Sequence, residues 1–280
     1  MSYRIRGAFF TLPAVMWTLV FFIGPLLVMV VYSFWRQVGT STVREWTLEN
    51  YQSFFSSVPL RDALVNSLEV TLLVTVISIL LAYPLAYILA YWIPSRWQSL
   101  ALILAVLPFW TSYVVRSYSW LLVLSEKGVV SQLLQALWLI NEPISFANSR
   151  TGTVIGFVHF FIMLLTLTIF SSLVRIPLNY QRAALDLGAS AWQAFWRITF
   201  PLSLSGVAVG AFLTFVLCFG DYITPQILGG NQELLLPQAI MLQVTRRANF
   251  PLASALSMIM MLVVTVLFVV SARRLRVEGR

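Results

Sequence analysis

Six apolar runs, each long enough to cross a lipid bilayer, dominate this sequence. They cover about Ala8–Phe34, Leu64–Trp92, Leu100–Leu124, Gly152–Val174, Leu202–Leu228 and Leu252–Ser271. A helix needs about 20 mostly apolar residues to span the hydrocarbon layer. Lipid offers no water to backbone N–H and C=O groups, so a spanning segment is a helix or part of a closed barrel. Barrel strands alternate over segments of about ten residues. These runs are continuous, which selects helices. Of the 280 residues 59% are hydrophobic and 10% charged, and the mean hydropathy is +0.85. Soluble domains carry about 25% charged residues. So few charges cannot cover a water-facing surface, which excludes soluble enzymes and disordered chains. The expected fold is an all-α polytopic membrane protein, one domain over 1–280 with six transmembrane helices and a cytoplasmic loop over 175–201 between helices 4 and 5.

A secretory leader has an apolar core of about 7–15 residues and a small-residue cleavage site. The first run is longer and ends in Tyr32-Ser33-Phe34-Trp35, so it is read as a retained helix. Pro25, Pro84, Pro108 and Pro225 fall inside runs, where proline removes a backbone donor and kinks a helix. Pro108 and Pro225 stand beside polar residues. Irregular backbone in such a setting lines a cavity in many transporters; a simple kink is the alternative.

Charge sets the orientation. An even number of spans puts both termini on one side. That side holds Arg4, Arg6, Arg96, Arg175, Arg182, Arg197, Arg273, Arg274, Arg276 and Arg280, in short segments. The opposite side holds Arg36, Arg44, Arg61, Lys127, Arg150, Arg246 and Arg247. The positive-inside rule places both termini in the cytoplasm. The net charge of +8 is read as this asymmetry rather than as a nucleic-acid surface. Cys218 is the one cysteine and His159 the one histidine. They exclude an intramolecular disulfide, a multi-Cys metal site and a two-His metal site. Gly128 follows Lys127, the only lysine. The phosphate-cradling pattern needs Lys before Ser or Thr, so any ATP that drives this protein binds another chain.

The 175–201 loop contains Gln181-Arg182-Ala183-Ala184-Leu185-Asp186-Leu187-Gly188-Ala189-Ser190, followed by Phe195, Ile198 and Pro201. Ala183, Ala184 and Leu187 share roughly one helical face. A face of small residues lets a short helix seat closely in another protein's groove, and Gly188 permits a turn or a close backbone approach. The alternative is an amphipathic segment on the bilayer surface, with Trp192, Phe195 and Trp196 dipping inward. The pattern resembles the coupling loop of binding-protein-dependent ABC importer permeases: Glu-Ala-Ala, three residues, Gly, then Ile-x-x-Pro. Ala183, Ala184, Gly188, Ile198 and Pro201 occupy the matching slots, with Asp186 and Ala189 inside the same stretch. Arg182 replaces the usual Glu, and Ser205 stands where a second Pro is common.

The resemblance covers most of the chain. Asn66-Ser67-Leu68, Leu107-Pro108-Phe109-Trp110-Thr111-Ser112-Tyr113 with Arg116-Ser117-Tyr118-Ser119-Trp120, and Phe219-Gly220-Asp221-Tyr222-Ile223-Thr224-Pro225 are similar to the first permease of spermidine/putrescine-type importers. It implies a six-helix permease in the bacterial inner membrane, forming half of a translocation path. The implied partners are a second similar permease, two ATPase subunits that bind ATP and Mg, and an extracytoplasmic substrate-binding protein received by loops 36–62, 126–150 and 229–249. No cofactor, metal or catalytic role is expected for this chain. A small organic cation such as putrescine or spermidine is the expected cargo; amino-acid-like and opine-like solutes are the alternative. A secondary transporter without an ATPase is the competing class.

A charge at mid-bilayer costs about 2.5–3.5 kcal/mol on insertion scales, so Glu69, Arg116 and Asp221 stand out. They are candidates for a water-filled path, with Trp110, Tyr113, Trp120 and Tyr222 as faces for cation–π contact. Glu69 lies near the start of its span and can reach the outer interface. Arg116 can also pair with an acid, or favour a carboxylate-bearing cargo. His159 reads best as a hydrogen-bonding residue between helices, and Gly152 with Gly156 as a close-packing pair.

Overall fold

The computed structural model describes residues 3–39, 41–230 and 233–278. Asn231 and Gln232 of the third external loop and Arg280 of the C-terminal basic cluster lie outside the described residues. In chain order the elements are α1 (Tyr3–Thr18), a π-helical turn, α2 (Gly24–Ser33), the hairpin β1 (Arg36–Val38) and β2 (Ser41–Val43), and α3 (Glu49–Ser56). Then come α4 (Val58–Tyr91), α5 (Ser95–Val106), α6 (Tyr113–Leu124), α7 (Val129–Ala136) and α8 (Arg150–Leu173). The chain continues with α9 (Leu178–Asp186), α10 (Ala191–Ala194), α11 (Phe200–Gly220), α12 (Ile223–Leu228), α13 (Leu236–Thr245) and α14 (Phe250–Glu278).

Among the described residues five helical segments are long and apolar enough to cross a membrane: Thr11–Ser33, Val58–Tyr91, Arg150–Leu173, Ala191–Gly220 and Phe250–Val270. A sixth is a broken pair, Ser95–Trp110 and Tyr113–Ala136, bent by 87°. The apolar run over 100–124 is therefore not one straight helix. Pro108 supplies no N–H, and Thr111 and Ser112 are extended, with ψ of 151° and 131°. The run over 202–228 is also interrupted: α11 stops at Gly220, Asp221 is extended, and α12 restarts at Ile223. Pro84, by contrast, lies inside an unbroken α4.

The chain forms two compact units, 1–63 with 238–269 and 64–237 with 270–280. In the first unit α3 is pinned to the end of α2. The buried Asn50 donates from Nδ2 to the carbonyls of Ser33 at 2.9 Å and Trp35 at 2.8 Å. The Tyr51 hydroxyl donates to Ser33 Oγ at 2.9 Å. Trp17, Phe21 and Phe22 face outward, which carries no hydrophobic penalty against lipid tails.

The second unit is built around α8. Phe157, Phe161, Leu165, Ile169 and Leu173 repeat at every fourth position and are fully buried, as one helical stripe requires. The upper part of this stripe meets Val70 and Val74 of α4 and Cys218 of α11. Its lower part meets Ala82, Tyr83 and Ala86 of α4. Tyr83 and Ser203 share a hydrogen bond of 2.8 Å that joins α4 to α11. The backbones of α8 and α11 approach closely at Gly206 and Gly210, and small residues allow such contact between helices in lipid. A Cβ on Gly210 would lie 2.2 Å from Thr168 Oγ1 and 2.8 Å from Leu165 Cδ2. G210V should therefore destabilise the protein by about 1–3 kcal/mol through overpacking. A lowered melting temperature of the purified protein in detergent checks this, and an unchanged one would place the helix contact elsewhere.

Candidate functional site

Two helix breaks meet in the second unit. The first lies at Pro108–Ser112 and the second at Asp221. The broken backbone frees carbonyls and N–H groups that need partners in a medium without water, and polar side chains supply them. Asp221 accepts from Ile223 N at 2.9 Å through Oδ1 and from Thr224 N at 3.3 Å through Oδ2. The Tyr113 hydroxyl donates to the same Oδ2 and shares a hydrogen bond with Thr224 Oγ1. Asp221 thus caps α12 and ties it to α6.

Arg116 is only 8% exposed. It donates from Nη1 to the Pro108 carbonyl and from Nη2 to the Thr111 carbonyl, both at 3.3 Å. Its guanidinium carbon stands 4.8 Å from the Phe160 ring centre and 5.7 Å from that of Tyr113. The three described ion pairs do not include it. An acid partner for Arg116 was one sequence expectation; among the described residues carbonyls and ring faces stand in its place. The Tyr113 ring faces Arg116 while its hydroxyl reaches Asp221.

Trp120 is half-buried and meets His159 edge-on, with ring centres 5.3 Å apart. The interhelical hydrogen bond expected of His159 is not made by Nδ1, which is buried without a partner. Trp110 is 87% exposed and Tyr222 37%, so neither joins this cluster of buried groups. Glu69 also stands apart. Its carboxylate pairs with Arg150 Nη2 at 2.7 Å, and Arg150 Nη1 reaches Glu233 at 3.3 Å. Glu69 is about half-exposed, as a position near an interface would be. Thr224 and Phe160 join the cluster, and Thr111, itself exposed, lends its carbonyl to Arg116; Thr111 and Thr224 fall inside the two quoted motifs, whereas no sequence signal marks Phe160. Gly152 and Gly156 do make a close contact, set against Phe146, Leu228 and Thr224. The described residues hold no group of three or more His, Cys, Asp or Glu that could bind a metal.

A groove of about 800 Å³ opens between α8 and α11. Hydroxyls of Thr168, Ser171, Ser172 and Ser205 line it, and Arg175 and Tyr180 stand in its wall.

The loop after α8 folds as two short helices around a glycine turn. Gly188 has φ of +88°, a conformation that glycine adopts without steric cost. Its N–H donates to the Leu185 carbonyl at 2.9 Å, and the Ala189 N–H to the Ala184 carbonyl at 3.0 Å. Those two bonds form a Schellman cap that ends α9. Ser190 then starts α10 with a reciprocal capping box to Gln193. Gln181 Nε2 donates to the buried Thr199 Oγ1 at 2.9 Å and ties α9 back to the start of the next span. Phe195 packs edge-on against Tyr83 and Tyr87. The tip points away: Leu187 is 89% exposed, and Arg182, Ala183, Asp186 and Gly188 are exposed with it. Ala184, Ala189 and Ile198 are partly buried and Pro201 is exposed at the foot of α11.

No family model matches the chain. The spermidine/putrescine transport system permease protein PotB of Escherichia coli (strain K12) is 30% identical over 265 residues, covering 94% of this chain and 96% of that protein. A chain in the crystal structure of a bacterial ABC transporter that imports the acidic polysaccharide alginate superposes with a TM-score of 0.76. The identity is 18%, with 95% of this chain and 93% of that one covered. The alginate transporter in complex with an alginate pentasaccharide-bound periplasmic protein gives a TM-score of 0.74 at 17% identity, over 93% and 90% of the two chains. At such identities these likenesses are ones of fold.

Proposed function

The chain belongs to the permease subunits of binding-protein-dependent ABC importers, as a homologue of PotB, and from that premise we propose that it forms half of the path for a small organic cation such as putrescine or spermidine. The observation that carries the cargo reading is the match to a spermidine/putrescine permease along nearly the whole of both chains.

In this reading the protein sits in the bacterial inner membrane with both termini in the cytoplasm. It pairs with a second, similar permease. Two ATPase subunits bind ATP and Mg, and an extracytoplasmic binding protein delivers the cargo. Loops 36–62, 126–150 and 229–249 face that binding protein. The exposed tip from Arg182 to Ala189 enters a groove of the ATPase. Its small residues permit close seating, and the Gly188 cap lets the chain reverse without a side chain in the way. Gln181 and Phe195 anchor the same loop to the spans, so a push on the tip moves α8 and α11 as stiff rods. The hydroxyl-lined groove between those helices belongs to the inner part of the path. Asp221 holds the helix break that gives the path its irregular backbone, in concert with Tyr113.

A carboxylate-bearing, amino-acid-like or opine-like cargo is the second reading. Arg116 favours it, since it is a buried cation without an ion pair among the described residues. The test is uptake by the importer reconstituted with its own partner subunits. Labelled spermidine and putrescine should enter liposomes only with ATP and the binding protein. Entry of an amino acid or opine instead would overturn the cation reading. Uptake by the permease alone without ATP would overturn the importer mechanism.

A further inference from the structure

The strongest unexplained feature lies beside the first helix break, at Arg116. A cavity of about 300 Å³ is lined there by Thr111, Arg116, Ser119, Trp120 and His159. We propose that this cavity binds a carboxylate group, held by the Arg116 guanidinium, with His159 and Trp120 in its wall.

Arg116 is 8% exposed and carries a charge that does not titrate away. A buried cation needs compensation. What it has are two carbonyl bonds of 3.3 Å and two ring faces. Those carbonyl bonds are long for N–H···O contacts, and they use two of the five N–H donors of the guanidinium. A planar carboxylate matches the guanidinium fork in shape and charge. The Trp120 ring meets His159 edge-on in the cavity wall.

An ammonium group does not fit the cavity. It would face Arg116, and the nearby acid, Asp221, already accepts from two backbone N–H groups and one hydroxyl. The carboxylate has two possible sources: the cargo itself, or an acidic side chain of the second permease. The latter source rests on the two-permease importer reading.

The test uses the assembled importer in lipid nanodiscs, with sodium acetate as the probe and sodium chloride at equal ionic strength as the control. The readouts are melting temperature and retention of the second permease during purification. A free site, open to cargo, gives an acetate-dependent rise in wild-type melting temperature that R116M abolishes and R116K weakens. A site filled by the second permease gives no acetate response, and R116M sheds that subunit while R116K keeps it. Both results support the carboxylate site and assign its source. Failure of acetate to shift the wild type, together with a stable subunit pair in R116M, overturns it. If R116M does not accumulate, S119W decides in its place: Ser119 is exposed and lines the cavity, so a bulky ring there should abolish the acetate response or shed the second permease with Arg116 intact, and a wild-type result on both readouts overturns the site. A wild-type preparation that never holds a second permease would overturn the importer reading instead, and the acetate response would still report on the cavity.

Discussion

ATP-driven uptake should fall about tenfold or more when Gly188 is replaced by valine. The residue sits at φ +88° at the end of α9, and a β-branched side chain pays about 1–2 kcal/mol to adopt a left-handed backbone. The Schellman cap made by Gly188 and Ala189 would open, and the exposed tip carried by Leu187 would lose its shape. Steric conflict within the chain is not the cause, because a Cβ at Gly188 meets nothing within 4 Å. That open space makes a graded series informative. Asparagine tolerates the left-handed region, so G188N should keep most of the uptake if the turn is what matters. G188N as inactive as G188V would show instead that the ATPase seats directly on the glycine. Co-purification of the ATPase measures the seating itself. Full uptake in G188V would end the coupling reading of this loop.

The second large effect belongs to Asp221. D221A removes the cap of α12 and the acceptor of the Tyr113 hydroxyl together. Loss of a helix cap costs about 0.5–2 kcal/mol. Loss of a hydrogen bond to a charged group costs about 1.5–3 kcal/mol. The melting temperature should drop, and coupled uptake should fall with it as α12 detaches from α6. D221N removes the charge and keeps part of the structure. Asparagine also caps helices, but it has one oxygen where Asp221 uses two: at the Oδ2 position that oxygen still accepts from Tyr113 and Thr224 N, and the NH2 then faces the Ile223 N–H. D221N should therefore lower the melting temperature by less than D221A does and keep part of the uptake. Uptake lost as completely in D221N as in D221A, at a melting temperature that stays above that of D221A, would show that a cationic cargo needs the charge itself. It would also move Asp221 from holding the helix break to contacting the cargo.

These two positions show how far the residues alone could be read. Gly188 was legible because both readings of a glycine in that motif, a turn or a close approach, are local properties of the backbone. The structure shows that the turn is made, since φ is positive, and that no group of this chain approaches the glycine. Asp221 was legible as an anomaly, an acid between Gly220 and Pro225 in an apolar run, but its partners were not. Tyr113 lies more than a hundred positions away in the chain. No local pattern announces that its hydroxyl and the Asp221 carboxylate share one pair of helix breaks. The same holds for Glu69, whose ion pair with Arg150 spans the sequence from α4 to α8.

Membrane residence, helical class and the length of each apolar run follow from the sequence by itself, because lipid forces every spanning backbone to satisfy its own hydrogen bonds. Continuity of those runs does not follow. Hydropathy sums side chains and is blind to backbone angles, so the 87° bend near Thr111 and the stop at Gly220 emerged only in three dimensions. The environment of the charges was likewise a tertiary decision. Whether a buried arginine meets a carboxylate, a carbonyl or a ring depends on which helices cross beside it. For Arg116 that crossing brought Phe160, Tyr113 and the freed carbonyls of a broken helix.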